Sequence, residues 1–75
     1  MQQVLVEITN EQIEKIRPFM PDIDVLIKGS LHKFLSELND AIVAELDEDY
    51  EDTDVSIMLQ RLYDEIRIAS HKKYN

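Results

Sequence analysis

The stretch Ile23-Asp-Val-Leu-Ile-Lys-Gly-Ser-Leu-His-Lys-Phe-Leu-Ser-Glu-Leu-Asn-Asp-Ala-Ile-Val-Ala-Glu-Leu46 decides the fold class. Its apolar residues stand at 23, 26, 27, 31, 34, 35, 38, 41, 42 and 46. Spacings of three and four put them on one face of an α-helix, and no alternation of period two competes. Asp22 is placed to cap this helix, so a helix over 22–46 is expected. Gly29-Ser30 is the flaw in it, because an internal glycine costs about 1 kcal/mol relative to alanine. Gly followed by Ser also reads as the end of one helix and the cap of the next. The unbroken apolar register favours one helix, bent or thinned at Gly29, with a neighbouring helix packed closely over the glycine as its structural reason.

Working outward toward the N-terminus, Val4, Val6 and Ile8 alternate with Gln3, Leu5 and Glu7, which predicts a short strand. Thr9 followed by Gln12 has capping-box spacing, so a helix should begin near Asn10. Ile13, Ile16 and Met20 share its inner face. Pro18 weakens the last turn and Pro21 biases Met20 away from helical angles, which sets the end close to Phe19. Toward the C-terminus, residues 47–52 carry no apolar period and form a connection. Thr53 or Asp54 then caps a last helix to about residue 70, with Val55, Leu59, Leu62, Ile66 and Ala69 as its stripe, widened by Met58 and Tyr63. The expected fold is mainly α: one compact domain over 1–75, with three helices at about 10–19, 22–46 and 54–70 behind a short strand.

Composition narrows the function classes. The chain has 75 residues, and a domain of this size buries only about 60% of the surface its unfolded form exposes. It has no cysteine, so neither disulfides nor a thiolate zinc site reinforce it. Its longest apolar run, Ala41–Ala44, is far below the ~20 residues of a membrane span. The N-terminus shows no basic-then-apolar leader pattern, so a cytoplasmic location and no membrane association are expected.

The net charge is −8, unevenly spread. Residues 37–54 hold nine acids, Glu37, Asp40, Glu45, Asp47, Glu48, Asp49, Glu51, Asp52 and Asp54, and no Lys or Arg. Residues 55–75 come to +2, with no basic cluster longer than Lys72-Lys73. Nucleic-acid affinity rests on neutralising phosphates, so direct nucleic-acid binding is not expected. The acidic segment suits a protein with a basic surface instead. Its contact set is Glu45, Asp47, Glu48, Asp49, Tyr50, Glu51, Asp52 and Asp54. Tyr50 is either an aromatic anchor for that partner or a residue packed back on its own core.

Chemistry finds little support. His32 has Lys28 and Ser36 at i−4 and i+4, and His71 has Arg67 at i−4, so neither imidazole has a carboxylate or second histidine to orient it or share a metal. Ser30, Ser36, Ser56 and Ser70 lack triad spacing and read as caps or helix-surface residues. Gly29 is the only glycine, which excludes a phosphate-binding glycine loop. An EF-hand frame starting at Asp47 puts Asp52 where the turn needs Gly and Met58 where the bidentate Glu belongs. No catalytic residue, cofactor or metal site is expected.

The run Val4-Leu5-Val6-Glu7-Ile8-Thr9-Asn10-Glu11-Gln12-Ile13-Glu14-Lys15-Ile16 resembles the ribbon-helix-helix family, in which an alternating strand leads into a capped helix. The resemblance covers at most residues 2–46. It implies a dimer whose paired strands read the DNA major groove, or an antitoxin with a partner-binding tail. The outward strand residues here would be Gln3, Leu5 and Glu7, and a glutamate facing phosphates departs from that use. Independently, a lone strand needs a partner edge, and Ile57 and Ile68 lie off the last helix's main stripe. Both features favour a homodimer through Val4, Val6, Ile8, Ile57 and Ile68. The expected function is a small acidic regulator or inhibitor, antitoxin-like or immunity-like, that binds another protein. A dimeric ribbon-helix-helix-like DNA binder or antitoxin is the alternative.

Overall fold

The computed structural model describes residues 5–74. It is mainly helical, with α1 at Asn10–Ile16, α2 at Ile23–Leu26, α3 at Leu31–Ala44 and α4 at Asp54–Tyr74. The two long helices α3 and α4 pack on each other, and the molecule measures 41 × 21 × 20 Å along its principal axes. Ile16, Met20, Ile23, Leu31, Phe34, Leu35, Leu38, Ile42, Leu59, Leu62 and Ile66 form the core. Among the described residues, no helix is long and apolar enough to cross a membrane.

The expected single helix over 22–46 is two helices. Ser30 takes an extended conformation (φ −76°, ψ 153°) and its Oγ accepts the Lys33 N–H at 3.2 Å, so it is the N-cap of α3. A serine side chain that bonds the backbone three residues on stabilises a helix start and competes with a helix interior. The chain tightens before it, as Lys28 N–H donates to Val25 O and Gly29 N–H to Leu26 O. Neither a left-handed backbone nor close packing requires a glycine at 29. Its φ is not positive, and an added Cβ would meet only Leu26 O at 3.5 Å, so no helix packs closely over it. The apolar face runs through both pieces because Ile23 and Leu31 enter the same core from either side of the turn.

Three helix ends differ: the long helix stops at Ala44 and not 46, and the last runs to Tyr74 and not about 70. The first helix ends at Ile16 and not near Phe19, since Pro18 has no N–H to continue the ladder and Phe19 and Met20 both donate to Ile16 O in a turn. Asp22 stands at the N-cap of α2 but makes no side-chain cap bond. Thr9 does cap α1, with Gln12 N–H donating to its Oγ1 and its own N–H donating to Gln12 Oε1.

The expected N-terminal strand is absent among the described residues. Leu5 makes one isolated antiparallel bridge to Ser30. Two residues on, Glu7 N–H donates to Ser70 Oγ at 2.8 Å, and Val6 and Ile8 pack on the core. The described part of this segment is therefore held by its own chain, and a two-chain ribbon is not needed to satisfy it. Ser56 and Ser70, read from the sequence as caps or helix-surface residues, are both fully buried, and Ser56 Oγ accepts the Thr53 N–H at the start of α4.

Arg17 ties α1 to α2. Its guanidinium donates to both carboxylate oxygens of Asp24, at 2.6 and 3.3 Å, and lies 3.4 Å from Glu14. These hydrogen bonds hold the Asp24 carboxyl below the ordinary aspartate range, partial desolvation opposes them, and the positive charges of Arg17 and Lys28 add to the lowering. Since folding lowers this pKa, the pair's contribution is present above the unfolded-state value of about 3.9 and is lost as pH falls through the folded one. In a carboxyl NMR titration Asp24 is expected to titrate below a free aspartate and to return to the ordinary range in Arg17→Leu. An unchanged midpoint in that variant would mean the pair does not persist in solution.

Candidate acidic interface

The connection between α3 and α4 is folded back on itself by its own acids. Asp47 Oδ1 accepts the N–H groups of Asp49 and Glu51, each at 2.9 Å. Asp47 N–H donates to Glu51 O at 3.1 Å and Tyr50 N–H to Asp47 O at 2.9 Å, which closes a tight loop. Aspartate serves here because its short side chain reaches backbone N–H groups two and four residues on. Asp52 is committed as well: its Oδ1 accepts from Gln60 Nε2 at 2.7 Å and lies 3.3 Å from the Ser56 hydroxyl. Glu45 ends α3 half-buried, and its carbonyl accepts the Thr53 hydroxyl at 2.7 Å. Glu48, Asp49, Glu51 and Asp54 are exposed, and their side chains are the ones left to face a partner.

Tyr50 stands at the tip. It is 79% exposed and takes φ 60°, a left-handed conformation that a bulky side chain adopts only when its surroundings impose it. The Asp47 bonds on either side of it supply that constraint. Of the two readings of Tyr50, the one that packs it back on its own core is therefore overturned.

Beside the loop, α3 and α4 leave a groove of about 400 Å³. Its lining includes the apolar Ile42 and Leu46, the aromatic Tyr50 and Tyr63, and the carboxylates of Asp52 and Asp64. Tyr63, Gln60 and Asp64 were not singled out from the sequence for this site. Tyr63 reads there as a core residue, and only the packing of α4 on α3 shows that it also borders an opening. Two aromatic faces next to carboxylates suit a cationic side chain, which gains both ion pairing and cation–π attraction.

The residues expected at a dimer surface divide. Val6 and Ile8 pack on their own core, so the structure does not place them at a free surface. Val4 lies outside the described residues. Ile57 and Ile68 are 40% and 57% exposed. His32 and His71 are exposed. Among the described residues no group of three or more His, Cys, Asp or Glu is placed to hold a metal ion. No family model, curated protein or solved structure matches the chain.

Proposed function

We propose that the protein is a small acidic binding module that regulates or inhibits a partner protein through the 45–54 connection. The observation that carries this reading is Tyr50, exposed in a left-handed conformation at the tip of a loop closed by Asp47. A solvated linker does not need to fix an aromatic side chain outward at a conformational cost, whereas an interface anchor does. Glu48, Asp49 and Glu51 around it add a negative field that speeds encounter with a basic surface. The groove lined by Tyr50 and Tyr63 then takes a Lys or Arg side chain of that partner.

An arginine-rich peptide serves as the probe, with association followed by stopped-flow fluorescence. Its association rate should fall as ionic strength rises, since exposed charges are screened beyond ~8 Å at physiological salt. Reversing Glu48, Asp49 and Glu51 to lysine should slow association by about tenfold or more. Asp47 and Asp52 are left alone because they hold the loop. Tyr50→Ala should speed dissociation and leave the salt dependence of association unchanged. An association rate indifferent to the triple reversal would overturn the steering reading.

A further inference from the structure

On the back of α4, opposite the buried Leu59, Leu62 and Ile66, the residues Asp54, Ile57, Arg61, Asp64, Ile68 and His71 follow at spacings of three, four, three, four and three. All six are exposed. Steps of three and four in alternation follow the 3.5-residue seam period of paired helices. The chemistry along the seam is also complementary to its own reverse. Read from the N-terminus it runs acid, isoleucine, base; read from the C-terminus it runs base, isoleucine, acid.

We infer that this face of α4 is a self-recognition surface occupied by a second copy of the chain, packed antiparallel about a twofold axis between Leu62 and Tyr63. Each seam residue then meets its complement in the second copy: Ile57 faces Ile68, Arg61 faces Asp64, and Asp54 faces His71. A twofold axis repeats every such contact, which is the usual form of a self-complementary interface. Antiparallel packing also sets the acidic first turn of α4 against the basic last turn of the other copy and opposes the two helix dipoles favourably. A parallel pair in register would set Asp54, Arg61 and Asp64 each against its own like charge, so the charges select the direction. Arg61 makes no ion pair among the described residues, and Asp64 holds only a long 3.9 Å contact to Arg67, so both are available for the exchange. The seam rises about 25 Å from Asp54 to His71. One helix pair of that length is at the small end of specific interfaces, so self-association is weak and shows at the upper end of protein concentration. The net charge of −8 on each copy opposes approach, and salt screens it. This inference needs no partner protein; it shares Asp54 and Asp64 with the acidic surface described above, but its test reads self-association alone.

The test is the solution mass by sedimentation equilibrium over about 1 μM to 1 mM, a range that spans weak and moderate association, at about 0.15 M salt. The mass should move from 8.8 kDa toward twice that value. Arg61→Asp alone sets acid on acid at both symmetric positions, and Asp64→Arg alone sets base on base. Each should shift dimerisation to at least about tenfold higher concentration, as like charges facing across an interface do. An equimolar mixture of the two variants, or R61D/D64R in one chain, should restore it. A wild-type chain that stays monomeric to 1 mM, or a dimer unmoved by the single reversals, or a loss that mixing does not rescue, overturns the inference. A second readout uses the absence of cysteine. Ile57→Cys and Ile68→Cys chains, mixed under mild oxidation, should give mainly the mixed disulfide, and statistical proportions of the three disulfides would count against the register.

Discussion

Replacing Phe34 by alanine is expected to cost about 3–5 kcal/mol, the range for truncating a buried aromatic side chain. Phe34 is fully buried in α3, at the centre of the cluster that joins α3 to α4. The cost combines lost transfer energy with a cavity that the two helices close only in part. A chain of 75 residues has a total stability of about 4–11 kcal/mol at ordinary per-residue values, so the loss takes a large share of it and, at the low end of that range, all of it. Urea unfolding should show a large fall in midpoint with little change in slope. Val25→Ala is the matched control: Val25 is 72% exposed, and truncating it should change stability by no more than about 0.5 kcal/mol. A loss below about 1 kcal/mol for Phe34→Ala would mean that the α3–α4 core repacks around the gap.

Thr53→Ala should cost about 2–3 kcal/mol, well above the ~1 kcal/mol expected for Thr9→Ala. Both threonines cap a helix. Thr9 is exposed, and its hydroxyl and N–H bond only to Gln12. Thr53 Oγ1 accepts the Ser56 N–H at 3.1 Å while donating to Glu45 O at 2.7 Å, and its N–H donates to the buried Ser56 hydroxyl at 2.8 Å. One hydroxyl thus starts α4, satisfies the end of α3 and closes the base of the acidic loop. Its removal strips the cap and leaves the Glu45 carbonyl without that donor. Thermal melts separate the two cases, since 1 kcal/mol corresponds to about 4–8 °C in a domain of this size. Thr53→Ser keeps both bonds and should melt close to the wild type. Equal effects of Thr53→Ala and Thr9→Ala would show that the bridge to Glu45 contributes nothing.

The acidic connection was legible in the sequence as a location, and its division of labour was not. Nine acids without a base mark residues 37–54 as a negative surface whatever the fold. Which carboxylates face outward depends on backbone N–H groups and on Gln60, eight positions from Asp52, and no periodicity reports such contacts. Tyr50 shows the same limit. Its side chain fits either a core or an interface, and the left-handed turn imposed by Asp47 resolves the choice.

By itself the sequence determined the helical class, the capped start of α1, the inner faces of α3 and α4, and the acidic segment, because each rests on spacing or composition within one element. Helical period and capping are local, and local rules act before the chain has folded. Tertiary structure alone decided that 22–46 is two helices, that the described part of the alternating N-terminal segment pairs with Ser30 and Ser70 and forms no strand there, and that Ser56 and Ser70 are buried. Each of these turns on a polar group whose partner is remote in the chain or competes with the helix ladder. A hydroxyl or a backbone N–H is satisfied equally well by several neighbours, and only packing determines which one is within reach.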